Sequence, residues 1–393
     1  MKFPMKRIYL KFLLMAALLP FPHALAQAAT DDTFTPANPP EMKPMANHDT
    51  PAYRTLAWFQ RGANLGDYLE ANRRWRQLEV SADEFVQMKK EGFDHVRVPI
   101  GWHQYAGPGP EFTLEPEIFA KVDFVVTNAL KNNLAVMINL HHFNALDQNP
   151  THATAEFLKV WQQIATHYQA FPPQLIFELD NEPHDQATTA LMNPIYAQTI
   201  KEIRQTNPQR TLVVEPGGWG GIGGLKDLVL PPDDNVIVSV HCYDPFNFTH
   251  QGATWTSGQT PVTGIVFPGP PAQPLVPDPK LQLKDYPLSW IEKYNTLPAD
   301  KNPSSPLAFT GKFKYLRAWS DYYGRPIHLG EFGAYTKADG QSRANFYATF
   351  RQAVEAEKLG WCIWDWSGGF RYWDKQNNAP MPGMRAALFG KTK

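Results

Sequence analysis

Residues 175–183 read LIFELDNEP, an apolar run that ends in Asp180, Asn181, Glu182 and Pro183. A short run of large apolar residues is typical of a strand buried in a parallel sheet. Seven further runs of this kind lie along the chain, at 59–66, 95–100, 135–142, 211–216, 235–244, 326–334 and 361–366. The sequence therefore predicts eight buried strands.

Amphipathic stretches alternate with these strands and predict helices. The first, 81–91, opens with the capping box Ser81-x-x-Glu84. The other predicted helices are 116–132, 154–169, 188–206, 311–323 and 341–359. Eight strand–helix units with nearly continuous apolar strands predict a parallel (β/α)8 TIM barrel, because strands of such a barrel are covered on both faces.

One connection departs from this alternation. Residues 245–325 separate the sixth and seventh strands, and eleven of the 36 prolines lie in 261–306. This segment is too long for one helix and too rich in proline for added strands. We therefore expect an insertion on the barrel face that shapes a cleft and ends in the helix at 311–323.

The composition bounds the function. Among 393 residues, Lys and Arg number 37 against 38 Asp and Glu, and no long basic stretch follows the first dozen residues. This balance argues against a nucleic-acid partner. Two cysteines are too few for a disulfide framework or a thiolate metal site.

The N-terminus predicts export. A basic start is followed by the apolar run 12–21 and by Ala24-Leu25-Ala26, the pattern of a signal peptide spanning 1–26. The apolar run is shorter than the ~20 residues of a membrane span. Residues 27–52 predict a proline-rich arm, and 53–393 a single catalytic domain. We expect a secreted or periplasmic, monomeric protein without membrane contact after cleavage.

Polar residues collect where the predicted strands end, which is where barrel enzymes place their active sites. They are Arg97, His141, His142, Asn181, Glu182, His241, Tyr243, Glu331 and Trp364. Glu182 follows the fourth strand and Glu331 lies on the seventh, so they face each other across an eight-stranded barrel. Two opposed carboxylates are what the cleavage of a glycosidic bond requires.

Strand parity also places the cysteines. Cys242 lies between His241 and Tyr243, which we expect to face the site, so its thiol points to the opposite side. Cys362 shares parity with Trp364 and points inward. We therefore expect no disulfide between Cys242 and Cys362.

The ordered set of these motifs resembles glycoside hydrolase family 5 over residues 59–370. The set comprises Arg97-Val98-Pro99, His141-His142, Asn181-Glu182-Pro183, His241-Cys242-Tyr243 and Gly330-Glu331-Phe332-Gly333. Residues 244–255, DPFNFTHQGATW, further resemble the endoglucanase branch that acts on β-1,4-glucans.

The resemblance implies a division of labour between the two carboxyls. Glu182 would be the general acid/base and Glu331 the nucleophile, with retention of configuration. Arg97 would keep Glu331 ionised, and the pKa of Glu182 would have to be raised by its surroundings. His241 would orient Glu182, and Tyr243 would donate a hydrogen bond to Glu331.

The resemblance also implies a sugar-binding set. Asn181 would bond the 2-hydroxyl, and His141 and His142 would bind other hydroxyls. Trp364 would form a platform, with a cis peptide bond following it. Further aromatic residues are candidates for sugar contact: Trp219 and Trp255 first, in the loops after the fifth and sixth strands, then Trp102, Phe143 and Trp366.

Two positions depart from the pattern of the family. Asp67 stands where relatives often carry an Asn, and Asp365-Trp366 stands where they often carry Glu-Phe. Both changes lie near the expected sugar subsites, so we expect them to affect specificity more than the reaction.

The sequence thus predicts a retaining endo-β-1,4-glucanase that binds a β-linked polysaccharide or oligosaccharide and needs no metal or cofactor. A β-1,4-mannanase or glucomannanase, or a mixed-linkage or β-1,3-glucanase, remains open. A metal-dependent barrel hydrolase would use His141, His142 and His241, but the first strand lacks the His-x-His such enzymes usually carry. A binding protein without catalysis would not require both glutamates.

Overall fold

Eight parallel strands close into a barrel in chain order in the computed structural model, with β8 paired to β1. The structure describes residues 42–45, 48–72 and 78–390. The strands are β1 Arg61–Asn64, β2 His95–Val98, β3 Ala135–Asn139, β4 Leu175–Glu178, β5 Leu212–Val214, β6 Val236–His241, β7 Ile327–Phe332 and β8 Gly360–Ile363. Each lies within or at the edge of a predicted run, so the predicted TIM barrel is confirmed.

Helices cover the outside of the barrel. They are α1 Pro51–Leu56, α2 Ala82–Glu91, α3 Pro116–Lys131, α4 Asn144–Gln148, α5 Pro150–His167, α6 Thr189–Thr206, α7 Phe246–Thr249, α8 Asp285–Thr296, α9 Thr310–Tyr323, α10 Gly340–Ala356 and α11 Met384–Phe389. A short antiparallel pair, β9 Trp373–Asp374 and β10 Ala379–Pro380, precedes α11. Between β5 and β6 the chain forms only a 3₁₀ helix, Ile222–Asp227, so one of the eight units lacks its α-helix.

The barrel interior changes from apolar to polar along the strands. Its lower layer is mostly apolar and is closed from below by α1, and it also holds the buried rings of His95 and His328 against Phe59. Its apolar members are Ala52, Leu56, Phe59, Ala135, Met137, Ile176, Val213 and Ile237. Two residues further along β3 and β4, on the same face, stand Asn139 and Glu178, both fully buried. The strand period therefore places polar side chains in one layer directly beneath the C-terminal rim.

An irregularity in β7 turns Glu331 into this layer. The pairing of β6 with β7 shifts by one residue, so Val240 pairs with Leu329 but His241 with Glu331. Gly330 is the extra residue, and a Cβ there would clash with Ser239 Oγ and lie 2.8 Å from His241 Nε2. Glycine is therefore required at this bulge, which aims the next side chain inward.

The predicted insertion between β6 and β7 is present and carries a helix that the sequence analysis missed. It ends in α9, as expected, but also contains α8, whose Trp290, Ile291 and Tyr294 are buried. Pro287 lies in the first turn of α8, where a helix tolerates proline because no intrahelical N–H bond is lost there. Proline content alone therefore misled the prediction for this segment.

The predicted signal peptide, 1–26, lies outside the described residues, and so does most of the arm at 27–52. Where the arm is described, Met42 is buried and α1 begins at Pro51 with Thr50 as its cap. The division at residue 53 stays a prediction. In the part of the chain that the structure describes, no helix is both long and apolar enough to cross a membrane.

The cysteine prediction is confirmed. Cys242 and Cys362 are both buried and unpaired with each other. The Cys362 thiol lies inside the barrel, 3.3 Å from the Asn64 side-chain nitrogen, whereas Cys242 belongs to the hydrophobic core outside the barrel lumen.

A buried arginine closes the end of α5. Arg210 donates to four main-chain carbonyl oxygens around the segment 168–175, including Leu175 O at 2.8 Å and Phe171 O at 2.8 Å. These carbonyls would otherwise be buried without a donor. The contacts therefore tie the end of α5 to the start of β4.

We predict that Arg210→Ala lowers the free energy of unfolding by about 3 kcal/mol, because it leaves several carbonyls unsatisfied. Urea unfolding followed by tryptophan fluorescence measures it. Arg54→Ala is the matched control, since its ion pair with Asp49 is exposed and should contribute under about 1 kcal/mol. Equal losses in the two variants would contradict the prediction.

Candidate active site

Glu331 is held by two donors at the centre of the barrel mouth. Its Oε1 accepts a hydrogen bond from Arg97 Nη1 at 2.7 Å, and its Oε2 accepts one from Tyr243 OH at 2.7 Å. Only 6% of its side chain is exposed. Both contacts agree with the sequence prediction for these three residues, and they fix the carboxylate plane in one orientation.

Arg97 has more partners than the sequence predicted. Its guanidinium, fully buried, makes a two-point contact with Glu178 at 2.6 and 3.0 Å. It also donates to Asn64 Oδ1 at 2.9 Å and to Asn181 Oδ1 at 2.7 Å. A buried charge requires such pairing because desolvation is costly. Because the side-chain oxygen of Asn181 accepts this bond, its amide nitrogen points away from the guanidinium.

Glu182 lies opposite Glu331. Its Oε1 is 2.7 Å from His241 Nδ1, and one of its oxygens lies within 4.8 Å of an oxygen of Glu331. The backbone of Glu182 has a φ of +51°, an unusual value for a non-glycine residue that the hydrogen bond from its N–H to Glu215 Oε2, at 2.8 Å, helps to hold. The predicted opposition of the two carboxyls is thus present in the structure.

The imidazole of His241 lies between two carboxylates. On its far side from Glu182, Nε2 lies 2.8 Å from Glu215 Oε1, an ion-pair distance without the alignment of a hydrogen bond. Burial acts to lower the pKa of His241, but the charges of Glu215 and Glu331 and the bonded carboxyls raise it well above the usual value. These carboxylates therefore favour the protonated, imidazolium form of His241.

This protonated imidazole reverses an expectation. Burial acts to raise the pKa of Glu182, but the hydrogen bond and charge of His241 outweigh it, and the pKa lies below its usual value. For Glu331, burial together with the charge of Glu182 outweighs the lowering effects of His241 and Arg97, and the pKa is raised. The expectation of a raised pKa at Glu182 is thus not met in the free site, whereas Arg97 lowers the pKa of Glu331, as expected, without outweighing burial.

Two buried carboxyls were missed by the sequence analysis. Glu178 lies on β4 and Glu215 follows β5, and both are fully buried. Burial raises the pKa of Glu178 to about 8, against the lowering effect of Arg97. A signal for Glu178 was present, because a glutamate inside the apolar run LIFELD costs energy unless it has a partner.

The histidines after β3 and the tryptophan after β8 come together. The ring of His141 stacks on that of Trp364, with centroids 5.8 Å apart and planes within 11°. His142 is exposed beside His141, with ring centroids 4.2 Å apart. The peptide bond from Trp364 to Asp365 is cis, as the resemblance implied. These side chains form one wall of the cleft next to the carboxyl pair.

Trp219 and Trp255 are the exposed aromatic residues in the loops after β5 and β6. They are 54% and 56% exposed. Trp219 stacks on His184 with centroids 3.6 Å apart, and Trp255 meets the ring of Tyr335 edge to face at 4.9 Å. Both indoles are therefore held by a neighbouring ring while one face stays accessible.

The other aromatic candidates belong to the core. Trp102 is fully buried and donates to Asn139 O at 3.0 Å. Trp366 is also fully buried, donates to Glu84 Oε2 at 2.8 Å and stacks on Trp373. Phe143 is 3% exposed. Sequence alone could not separate these residues from Trp219 and Trp255, because all are aromatic residues near strand ends.

Among the residues that the structure describes, two groups of carboxylates and a histidine have ligand atoms close enough to hold a metal ion: Glu178, Glu215 and His241, and Glu182, His241 and Glu331. The guanidinium of Arg97 contacts a member of each group, and a cation there would repel both it and the protonated imidazole. The donor set therefore fits an ion-pair network better than a metal.

Residues 60–369 match the family model described as cellulase, glycosyl hydrolase family 5. Among curated relatives, Endoglucanase H of Acetivibrio thermocellus is 25% identical over 84% of this chain, and Endoglucanase 3 of Fibrobacter succinogenes is 26% identical over 81%. The chain spans 31% and 51% of the lengths of these two relatives.

Solved structures give the same family. Cel5A of Thermotoga maritima in complex with cellobiose is 31% identical, with a TM-score of 0.75, and covers 86% of this chain and 100% of its own. The same enzyme in complex with mannotriose is 30% identical, with a TM-score of 0.74 over the same shares of the two chains. The barrel, the carboxyl pair across its mouth and the match over residues 60–369 identify this chain as a member of the cellulase family, glycosyl hydrolase family 5.

Proposed function

We propose that the chain is an endo-acting glycoside hydrolase that cleaves β-1,4-glucan with retention of configuration. The observation that carries this proposal is the separation of the two carboxyls. Oxygens of Glu182 and Glu331 lie within 4.8 Å of each other. Retaining enzymes hold their carboxyls ~5 Å apart, whereas inverting enzymes leave at least ~6.5 Å for a water molecule.

Glu331 is the proposed nucleophile. The hydrogen bonds from Arg97 and Tyr243 orient its carboxylate, and attack on the anomeric carbon forms a glycosyl ester as the glycosidic bond breaks. Glu182 gives the leaving oxygen a proton and later takes one from the water that hydrolyses the ester. Both groups reach the same bond because they approach it from opposite sides of the barrel mouth.

Asn181 is the proposed partner of the sugar 2-hydroxyl. Its Oδ1 accepts from Arg97, while its Nδ2 is buried with no hydrogen-bond partner among the described residues. A buried donor without a partner is costly, and a substrate hydroxyl would satisfy it. The stacked rings of His141 and Trp364 supply an adjacent surface for a pyranose ring.

The substrate class is proposed from the relatives. Those compared above carry the name endoglucanase, and Cel5A of Thermotoga maritima has been solved with cellobiose. Its complex with mannotriose favours β-1,4-mannan or glucomannan as a second substrate class. We further propose a secreted or periplasmic location, on the basis of the signal-like sequence at 1–26.

Asp67 and Asp365, which depart from the family pattern, have their carboxylates close together beside Trp364. A side chain at Gly368 would clash with carboxylate oxygens of both Asp67 and Asp365. Asp365 Oδ1 accepts from Gly368 N at 2.8 Å, and Oδ2 has no partner within the described ranges. Burial, then the charge of Asp67, raises the pKa of Asp365 to about 7. This pair adjoins Trp364, so we propose that it tunes sugar recognition.

We predict that Glu331→Ala lowers kcat on soluble β-glucan by about 10⁴-fold or more, because it removes the nucleophile. Reducing-sugar release measures the loss. A 2-deoxy-2-fluoro cellobioside with an activated leaving group should label Glu331 in the parent protein, as peptide mass spectrometry would detect. Glu292→Gln, at an exposed site on α8, is the control and should stay within about twofold. Activity in Glu331→Ala near that of this control would refute the assignment.

Product analysis tests the reaction and the substrate together. We predict that carboxymethyl cellulose and mixed-linkage β-glucan lose viscosity well before reducing ends accumulate, and that proton NMR shows the β-anomer first. Initial rates on mannan and glucomannan rank the second substrate class. Early α-anomer would overturn retention, and release of only short products without loss of viscosity would overturn the endo mode.

We predict that Asp67→Asn lowers KM for cello-oligosaccharides several-fold, roughly 3-fold, with kcat little changed. The amide removes a negative charge beside Asp365 and can both donate to and accept from a hydroxyl. Steady-state kinetics on cellotetraose measures the effect. Asp374→Asn, at the end of β9, is the matched control, because its carboxylate accepts from Gln376 and Asn377 in the adjacent turn. A fall in kcat with unchanged KM would contradict a role in binding.

A further inference from the structure

Behind Glu182 and Glu331, the wall of the site contains a third carboxylate, that of Glu215. Glu215 is fully buried at the end of β5 and lies between the imidazole of His241 and the backbone of Glu182. Its Oε1 is 2.8 Å from His241 Nε2, and its Oε2 accepts from Glu182 N at 2.8 Å. One side chain therefore contacts both the predicted acid and the histidine bonded to it.

We propose that Glu215 is a positioning residue for acid catalysis. It keeps His241 protonated and oriented towards Glu182. His241 and Glu182 then share one proton, and this is the proton that the leaving oxygen receives. This inference rests on the proposed function and assigns the source of its proton. Glu182 must donate a proton, yet beside the cationic imidazole of His241 it is a carboxylate in the free site, so the proton has to come from His241.

The charges around His241 support this arrangement. Its nearest neighbours are three carboxyls, those of Glu182, Glu215 and Glu331, at 2.7, 2.8 and 3.6 Å from its ring nitrogens. The cationic and neutral groups that also act on this cluster are Arg97, His141 and His328. The negative charges are closer, and the carboxyl of Glu182 is also hydrogen-bonded to Nδ1, so the imidazolium is the favoured form.

Glu215 itself remains ionised in this setting. Burial acts to raise its pKa, but the charge of His241, a hydrogen bond with Glu178 and the charge of Arg97 lower it below the usual value. Ser239 Oγ donates to its Oε1 at 3.3 Å.

The proton balance is complete within these groups. In the free site His241 carries the proton and Glu182 is a carboxylate. When substrate displaces water, the proton moves from Nδ1 to Glu182 Oε1 across their 2.7 Å contact. The glycosidic oxygen then takes it as its bond to the anomeric carbon breaks and Glu331 forms the ester. Hydrolysis of the ester by water returns one proton to Glu182 and thence to His241.

The position of Glu215 is enforced by its surroundings. The glycine at 220 has a φ of +61°, and a Cβ there would lie 2.7 Å from Glu215 Oε2 and 3.3 Å from His241 Cγ. Gly220 O also accepts from His241 N at 2.9 Å. The backbone at Gly220 thus packs closely against the side chains of Glu215 and His241 and restricts the position of the Glu215 carboxylate.

Glu215→Gln tests the proposal because it removes the charge and keeps the shape. On soluble β-glucan, whose leaving group needs a proton, kcat/KM should fall about 100-fold. On 2,4-dinitrophenyl β-cellobioside, whose leaving group departs unprotonated, the fall should stay below about 5-fold. On β-glucan the basic limb of the pH profile of kcat/KM should move down by about one pH unit, because the imidazolium has lost its counter-charge.

Ser239→Ala is the matched control, since it removes a neutral contact of Glu215 and should leave the ratio of the two substrates and the basic limb unchanged. Glu215→Asp keeps a negative charge but places it farther from His241, so the basic limb of the pH profile of kcat/KM should move down by less than in Glu215→Gln. This variant tests the inference if Glu215→Gln does not fold. Equal losses of Glu215→Gln on both substrates, or an unmoved limb, would overturn the inference. Failure of the parent protein on every β-glucan would instead overturn the proposed function.

Discussion

The buried guanidinium of Arg97 is the contact around which the active site is arranged. Transfer of this charge out of water is costly, and the cost is offset only because its donors meet Glu178, Glu331, Asn64 and Asn181. These partners come from three strands or their ends, β1, β4 and β7. The pairing therefore fixes the nucleophile, the 2-hydroxyl ligand and the barrel interior relative to one another, and loss of one partner would leave an uncompensated charge.

His241 has the same role for the other half of the site. Its imidazolium lies between Glu182 and Glu215, so the local charge favours a carboxylate at the position where an acid is needed. The pKa of Glu182 is lowered because this cation outweighs burial, whereas the pKa of Glu331 is raised because burial and the charge of Glu182 outweigh the same cation. The resting site is thus poised by a network of charges rather than by the environment of each carboxyl separately.

Much of the fold and part of the site followed from local pattern. The eight strands could be predicted because a strand of a parallel barrel is buried on both faces and is therefore apolar along its length. The site residues could be predicted because polar residues follow the ends of these strands. Prediction failed where the pattern was ambiguous: α8 hides in a proline-rich segment, and Trp366 and Trp102 pack in the core although they resemble candidate sugar platforms. Glu215 was missed because nothing in its own segment reveals a partner on β6.

The sequence by itself determined the barrel, the order of its motifs and the identity of the two opposed glutamates, because periodicity and strand-end chemistry are local properties of the chain. Only the tertiary structure decided which charges surround each carboxyl. The bulge at Gly330 turns Glu331 inward, and the strands bring Glu215 and His241 within 2.8 Å. Protonation depends on such distances between remote segments, so the direction of the pKa of Glu182 was beyond the reach of sequence.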